Sequence, residues 1–468
     1  MGMVLYRSRA LCQLVVPVTI ALCGAAASAQ SVDTPAVDAR TANAPSHGSG
    51  PEEPPLVSAP APAELEETAE PSDIWTAERL ISDGLGIRPE LQKIGLSVDL
   101  SYQQQWQQNF RGGKETHGTC RFTGSYDLTV ELDFKQMGLI APETDFESGF
   151  YIKAKGEYNR SIQEAVGSLS NPNSDPGTKD QAIYVRKWWF WYKFFEEKLE
   201  FRLGVIQTHK DLFDVSLYAN HEDKDFLNRA SFRNPTIPHD AAMGAFVRVE
   251  PVDWWYVQAA VFDAQAQRYH TQFDTAFHDQ AWYIGMWETG LTPEWKTDKG
   301  PMPGRYRIGF WYDPTVKEVF EELEEDEEPR MRGGDLGIYG GLDQMIWKEN
   351  DDPEDTQGLG VFTRAGGTSQ DTHQVSCYWQ VGASYKGLIP GRDEDVFGFA
   401  WSNLLISDRY RRAIDPRATG ETVYEWYYAW HLTPAIVISP DLQVITNPGG
   451  NKDARDAIIG GIRLRIVF

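Results

Sequence analysis

Residues 456–468, DAIIGGIRLRIVF, end the chain on a pattern of alternating side chains. Apolar side chains fall on one face of a strand, and Arg463 and Arg465 fall on the other. The apolar set is Ile462, Leu464, Ile466 and Phe468. Because successive side chains of a strand point to opposite faces, the pattern predicts a strand between two different surroundings. A soluble sandwich and an outer-membrane barrel both offer such surroundings, so the end of the chain alone leaves both open.

The same alternation recurs along the chain from Leu96 onwards and predicts sixteen strands. The segment KWWFWYKFF (187–195) is apolar on both faces and does not fix its own register. The predicted strands start near Leu96, Phe122, Phe146, Ile183, Leu199, Met243, Trp255, Trp282, Gly304, Leu336, Leu359, Val375, Asp395, Thr422, Ala435 and Ala457.

The connections between these strands alternate between long and short. The long connections include 159–182, 207–242, 264–281, 314–335 and 403–421. The short ones include 135–145, 195–198, 250–254, 386–394 and 433–434. Outer-membrane barrels have short periplasmic turns and long external loops, whereas a sandwich has no reason to alternate in this way. The sequence therefore predicts an all-β fold, a transmembrane antiparallel β-barrel of about sixteen strands with its long connections outside the cell.

The first 29 residues have the features of a cleaved secretory signal. Arg7 and Arg9 precede an apolar stretch over 14–22, and the segment ends with the small-x-small motif ASA. We predict cleavage after Ala29 and export to the outer membrane, with a retained membrane helix as the less favoured alternative.

The remainder divides into three parts. Residues 30–72 are rich in proline and glutamate, cannot bury enough apolar surface to fold, and predict a disordered periplasmic spacer. Residues 73–95 predict a short helical segment, with one helix ending near Ser82 and a second over 88–95. The barrel domain is predicted over 96–468.

Composition narrows the classes of partner. The net charge of −24 argues against a nucleic-acid partner, which requires a basic field. Aromatic residues make up 12% of the chain, including 16 tryptophans, and suit either membrane-interface girdles or sugar-binding surfaces. Cys120 and Cys377 are the only cysteines beyond the predicted signal, and the sequence leaves open whether they pair. No segment after the signal has eighteen consecutive apolar residues, so no transmembrane helix is predicted.

Charged residues occupy the strand face opposite the apolar one and are the candidate pore-lining residues. If apolar side chains face lipid, the inward candidates are Arg202, Arg248, Arg305, Arg307, Trp311, Arg364, Glu421, Glu425, Arg463 and Arg465, together with Asp127, Glu131 and Glu200. Arginine forks donate hydrogen bonds to hydroxyl groups, carboxylates accept them, and an aromatic face can contact the C–H groups of a sugar. The alternative is that these charges only pair with one another and keep the wall hydrated.

The sequence motifs give little support for a catalytic or a metal-binding function. Single histidines lie in connections without partners at a characteristic spacing, and HExxH, CxxC and nucleophile-elbow motifs are absent. The acidic run EELEEDEE (321–328) matches no calcium loop and is better explained as a solvated external loop. We therefore expect no enzyme activity, no cofactor and no metal.

Several segments resemble the carbohydrate-selective porin (OprB-like) family. They include GIRPELQKIGLSVDLSY (86–102), FVRVEPVDWWYVQAAVFDA (246–264) and ETVYEWYYAWHLTPAIVISPDLQVITNPGG (421–450). The resemblance covers most of 73–468 in order, but not 30–72. It implies a sixteen-stranded outer-membrane barrel through which small sugars diffuse, constricted by inward loops and by lining arginine and glutamate. By position, that role falls on Arg248, Arg305, Arg307, Arg364 and Glu425.

The family resemblance also implies that the terminal aromatic, Phe468, is a signal for the barrel assembly machinery. The expected function is passive diffusion of small sugars, with outer-membrane lipid and that machinery as further partners. Two alternatives stay open. One is a general or anion-preferring porin, and the other is a structural or adhesive protein that contacts the cell wall through 30–72.

Overall fold

The computed structural model describes residues 75–468, except 82–83, 85, 176–180, 220–223, 239–240, 267–272, 278–280, 323–326 and 353–354. The predicted signal and spacer lie outside this range.

The described chain is mostly strand, with short helices between strands. The strands are β1 Leu96–Arg111, β2 Arg121–Asp133, β3 Glu147–Tyr158, β4 Gln181–Phe194, β5 Leu199–Gln207, β6 Ala241–Val252, β7 Trp255–Asp263, β8 Tyr283–Leu291, β9 Glu294–Thr297, β10 Gly300–Glu318, β11 Met331–Lys348, β12 Gly358–Thr368, β13 Val375–Lys386, β14 Val396–Ile406, β15 Glu421–Thr433, β16 Ile436–Thr446 and β17 Ala457–Val467. The helices are α1 Ile87–Lys93, α2 Gln163–Val166, α3 Thr208–Asp211, α4 Arg229–Phe232, α5 Phe273–Ala276 and α6 Asp408–Ala413.

Sixteen of these strands form one closed antiparallel barrel, as predicted. Each strand pairs with the next along the chain, and β17 pairs with β1 in the register Tyr102↔Ile466. The seventeenth, β9, lies outside this circuit and pairs only with the first residues of β10. Closure leaves no unpaired sheet edge, which a barrel in a membrane requires.

The predicted strand starts agree closely with the structure. Fourteen lie within two residues of the observed start, whereas β10 and β11 begin earlier, at Gly300 and Met331. Pro301 and Pro303 interrupt the alternation at the start of β10, and this hairpin with β9 was missed. The structure also settles the register of KWWFWYKFF, because Trp189 is buried in the cluster inside the barrel.

The barrel has two different ends. The start of β1, the end of β17 and the shorter connections lie at one, called here the turn end, and most long connections lie at the other, the loop end. Two long connections do not stay outside the barrel: residues 159–175, the first inward loop, and the described parts of 208–238, the second inward loop, fold into it. The first packs Ile162 and Val166 against wall residues such as Ile459, so the apolar core lies between loops and wall.

The outward face carries exposed apolar side chains. Leu203, Phe310, Val381 and Ile462 are each between 45% and 56% exposed. A water-soluble protein rarely shows so continuous an apolar surface, whereas a hydrocarbon layer covers it in a membrane barrel. Of the helices that the structure describes, none has the length and apolar character needed to cross a membrane.

The segment before β1, described over residues 75–94 apart from the gaps given above, lies at the turn end. Helix α1 confirms the predicted second helix, with Pro89 in its first turn, but residues 75–81 form turns and bends instead of the predicted first helix. The amide of Leu80 donates to the carbonyl of Val467 at 2.8 Å, and the Arg88 guanidinium donates to the carbonyl of Phe468 at 3.0 Å. The segment before β1 therefore holds Val467, the last residue of β17, and Phe468, which follows it.

Candidate functional site: the inner wall and the inward loops

All ten candidate residues on the strands lie at inward positions, but they divide into two groups by exposure. Six are at most 1% exposed: Trp311, Arg307, Arg364, Glu421, Glu425 and Arg463. Four are half-buried: Arg202, Arg248, Arg305 and Arg465. Among the acidic candidates, Asp127 and Glu200 are half-buried and Glu131 is exposed. Alternation along the strands gave the correct face, but not which residues the loops would cover.

Asp214 of the second inward loop is held by wall residues from three strands. Its amide donates to Glu288 of β8 at 2.7 Å, and its carboxylate accepts from Nε of Arg307 of β10 at 2.8 Å. Arg364 of β12 donates to its backbone carbonyl at 3.3 Å. Asp214 adopts a left-handed backbone conformation with φ 52°, which an aspartate tolerates better than most residues. These contacts fix the loop against one sector of the wall.

The same sector is charge-balanced under the loop. Arg307 also pairs with Asp343 of β11, which accepts a hydrogen bond from the Ser216 hydroxyl of the loop. Arg364 donates to the carbonyl of Ala219. Buried ions are stable only when paired and hydrogen-bonded, and these arginines have their charge matched by Asp214 and Asp343.

Glu421 of β15 holds the first inward loop. Its carboxylate accepts from the Ser168 hydroxyl at 2.6 Å and from the amides of Leu169 at 2.7 Å and Ser170 at 3.1 Å. It also accepts from the amide of Gly449 at 2.7 Å. A carboxylate that receives four hydrogen bonds has its acceptor positions used by the protein rather than by a solute.

Glu425 and Arg463 hold the second inward loop from the opposite side. Glu425 accepts from the amides of Leu227 at 2.5 Å and Asn228 at 3.1 Å. Arg463 donates to the carbonyls of Lys224 at 2.7 Å and Asp225 at 2.9 Å. The wall thus offers a carboxylate acceptor to loop N–H groups and a guanidinium donor to loop carbonyls.

The two inward loops also contact each other. Gln443 of β16 donates to the carbonyl of Pro172 in the first loop at 2.9 Å and accepts from Asn228 of the second at 3.1 Å. The amide of Arg229 donates to the carbonyl of Asn171 at 2.9 Å. The loops therefore form one connected body inside the barrel.

Sequence reasoning missed a further group of wall contacts around Asp175. This aspartate of the first inward loop accepts from Lys155 at 2.8 Å, Ser125 at 2.9 Å and Gln105 at 2.8 Å. The wall residues could have been found from strand alternation. Asp175 could not, because nothing in a loop sequence marks partners that lie 20, 50 and 70 residues away.

A band of less covered arginines, each lying against a buried aromatic ring, lies nearer the turn end. We call Arg202, Arg248, Arg305, Trp189 and Tyr256 the basic–aromatic band. The guanidinium carbon of Arg248 lies 4.1 Å and that of Arg305 lies 5.2 Å from the centre of the Tyr256 ring. Arg202 lies 5.4 Å from the Trp189 ring. Such contacts hold each guanidinium flat against a ring, with its edge N–H groups directed away from the ring face.

Acidic groups accompany this band. Nε of Arg202 lies 2.6 Å from Glu200, and Nζ of Lys153 lies 2.8 Å from Asp127. The band therefore offers donors and acceptors together, a combination suited to polyhydroxylated solutes. Trp311 lies in the same buried cluster around Phe213 as Trp189 and has no exposed surface, so it offers none to a solute.

Other predicted features can be placed as follows. Cys120 is free and exposed, so it is not bridged to Cys377. Within the described ranges, no group of three or more His, Cys, Asp or Glu side chains could hold a metal ion. The run 321–328 is only partly described, and its described ends lie in the connection between β10 and β11.

Comparison with known proteins gives consistent matches. The family model for carbohydrate-selective porins of the OprB family matches residues 147–468. Porin B of Pseudomonas aeruginosa is 23% identical over 439 residues, which cover 87% of this chain and 94% of that protein. The putative porin QuiX of Acinetobacter baylyi is 22% identical over 438 residues, which cover 85% of this chain and 95% of that protein. The high-pH structure of Pseudomonas putida OprB has a TM-score of 0.71 at 20% identity, covering 84% of this chain and 99% of that one, and shares its fold.

Proposed function

Because the chain belongs to the OprB family of carbohydrate-selective porins, an outer-membrane channel family rather than an enzyme family, we propose that small sugars diffuse past the inward loops along the basic–aromatic band. The observation that carries this path is the difference in burial within the inner wall. Arg202, Arg248 and Arg305 keep exposed surface, whereas the buried arginines and glutamates are occupied by loop groups.

Each group of wall residues has its own part in this proposal. The band supplies guanidinium donors that contact hydroxyl groups of a passing sugar, and the buried Trp189 and Tyr256 rings hold these guanidinium groups in place. Arg307, Arg364, Glu421, Glu425 and Arg463 hold the loops and set the width of the path without contacting the solute. Their part is positioning, which revises the expectation that all of them line the pore.

A liposome-swelling assay tests the function. Liposomes that contain the purified protein should swell in glucose and other monosaccharides faster than in larger oligosaccharides of equal osmolarity. Swelling that depends only on molecular size, with equal rates for sugars and for similar solutes without hydroxyls, would instead identify a general porin.

An anion-preferring porin is the second candidate, favoured by the three arginines of the band. Asp127, Glu131 and Glu200 lie at inward positions and offset that charge. Reversal potentials in planar bilayers under a salt gradient separate the two: we expect weak ion selectivity together with sugar permeation. A protein that forms no channel would support the structural or adhesive reading, in which 30–72 contacts the cell wall.

The export and membrane setting follow the same proposal. The signal is cut after Ala29, the loop end faces the cell exterior, and the outward apolar face contacts lipid. Phe468 is the residue that the barrel assembly machinery recognises. A Phe468 deletion should reduce the amount of protein in the outer membrane while leaving the sugar preference of the inserted fraction unchanged; normal membrane levels would contradict this role.

A further inference from the structure

A cavity of about 500 Å³ lies inside the barrel at its turn end, beneath the second inward loop. Tyr218 of that loop and the inward face of strands β10 to β13 surround it, with Pro303, Met345 and Ser384 among the lining residues. Pro303 is the inward residue before Arg305 on β10, so the cavity adjoins the basic–aromatic band. We call it the turn-end pocket.

The pocket has an apolar side that is fixed in place. The amides of Tyr218 and Ala219 both donate to the Ser216 hydroxyl at 3.2 Å, which holds the backbone next to the ring. The Tyr218 ring lies against Gly360 of β12, where any Cβ would overlap it. Met345 and Pro303 complete this side. An aromatic ring beside aliphatic groups matches the C–H face of a pyranose.

The polar side of the pocket holds donors and acceptors. Lys386 is half-buried, with Nζ 2.9 Å from the Thr356 hydroxyl and 2.9 Å from Glu394. The Ser384 hydroxyl lies on the same strand two residues earlier, and Asp225 lies on the loop side. The charges of the lining nearly balance, so it favours a neutral solute with many hydroxyls over an ion of either sign. The charged lining residues are Asp225, Glu294, Asp355, Lys348 and Lys386.

Volume and chemistry together define the ligand class. Small-molecule pockets are typically about 300–1,000 Å³, mostly apolar, with a few polar groups that fix orientation. We propose that the turn-end pocket is a saccharide-binding subsite in which a neutral mono- or disaccharide rests on the turn side of the inward loops. This inference rests on the proposed function, because it assigns that function a second contact site next to the basic–aromatic band.

The test is sugar-induced interruption of ion current through the purified full-length protein in planar bilayers, with glucose and maltose as probes. The dependence of the interruptions on sugar concentration gives an apparent Kd. Ser384→Trp places an indole in the pocket and should weaken this Kd by about tenfold. The matched control is Ala383→Trp, the adjacent outward position on β13, which should leave the Kd unchanged.

Lys386→Met supplies a second, smaller change that removes one donor and should weaken the Kd by about threefold. An unchanged Kd in a folded, conducting Ser384→Trp channel overturns the proposal. If that variant does not insert, an unchanged Kd in Lys386→Met overturns it. Liposome swelling of the wild type distinguishes a failure of the proposed function from a failure of the subsite proposal. Wild-type liposomes that fail to swell in glucose reject the proposed function, whereas swelling with an unchanged Kd in the variants rejects the subsite alone.

Discussion

Neighbouring arginines on one strand have different surroundings. Arg305 and Arg307 share the inward face of β10, and the sequence gives no reason to separate them. In the structure, Arg305 is half-buried above Tyr256, whereas Arg307 is 1% exposed between Asp214 and Asp343. The difference arises because the second inward loop covers one position and not the next.

This difference predicts opposite phenotypes for two matched substitutions. Arg305→Gln should shift ion selectivity towards cations and reduce sugar discrimination, with little effect on stability. Arg307→Gln should destabilise the protein by about 3–5 kcal/mol, because it leaves buried Asp343 without its cation and leaves Asp214 with only the more distant Arg364, at 3.6 Å. Reversal potentials and the temperature of heat-induced unfolding on gels measure the two effects. Equal effects on selectivity and stability for both variants would show that the division of the wall is wrong.

The inward loops are the elements that sequence patterns could not place. Period-two alternation predicted the barrel strands well because each strand has one lipid-facing and one inward face over its whole length. A loop residue such as Asp214 has no such repeat, and its partners Glu288 and Arg364 are 74 and 150 positions away. The candidate wall residues could therefore be predicted, but not which of them hold loops. The short strand β9 was missed because the adjoining proline residues remove the alternation.

Release of the first inward loop is the prediction at this scale. Glu421→Gln removes the carboxylate charge that receives hydrogen bonds from Ser168, Leu169, Ser170 and Gly449. The loop should become mobile, so that single-channel conductance rises and current noise increases. Glu131→Gln is the matched control, since Glu131 is an exposed inward glutamate on β2. A Glu421→Gln channel with wild-type current noise and wild-type conductance would contradict the conclusion that Glu421 holds the first inward loop.

The turn between β13 and β14 gives a prediction about pH. Burial alone would raise the pKa of Asp395, but hydrogen bonds from Arg392, Tyr428 and the His431 amide outweigh it and lower the pKa below its usual value. A depressed folded-state pKa adds stability above the usual aspartate pKa of about 3.9, and this stability is lost as the pH falls through the folded value.

Asp395→Asn should therefore unfold at a lower temperature than the wild type at pH 7, and the difference should shrink as the pH falls from about 5 to 2. Asp393→Asn is the control, because Asp393 is exposed in the same turn. Unfolding temperatures of the three proteins across this pH range provide the measurement. A gap between Asp395→Asn and wild type that stays constant with pH would argue against the linkage.

At the scale of the whole molecule, the barrel depends on one pairing that joins the two ends of the chain. All other pairings join consecutive barrel strands, whereas β1 and β17 are the first and the last barrel strand along the chain. The segment before β1 also holds Val467 at the end of β17 and the following Phe468, through hydrogen bonds from Leu80 and Arg88. Arg79 adds an ion pair with Asp99 of β1 at 2.8 Å. One segment thus contacts both strands of the closing pair.

Deleting residues 75–94 should therefore weaken closure without changing selectivity. The described contacts of this segment are with the turn end, whereas the inward loops are held by residues on the walls. We expect a lower unfolding temperature, and a larger fraction of the protein should run as the opened barrel on gels of unheated samples. The rate of liposome swelling in glucose per folded channel should stay at the wild-type value.

Deleting 30–72 is the control, since it removes a longer stretch but none of the contacts to Asp99, Val467 and Phe468. Arg88→Ala should give a smaller shift in the same direction, because it removes the hydrogen bond to Phe468 and leaves that of Leu80. If the 75–94 deletion unfolds at the wild-type temperature, strand pairing alone closes the barrel. If it unfolds earlier but also changes sugar selectivity, the closing pair and the inward loops are coupled through the wall.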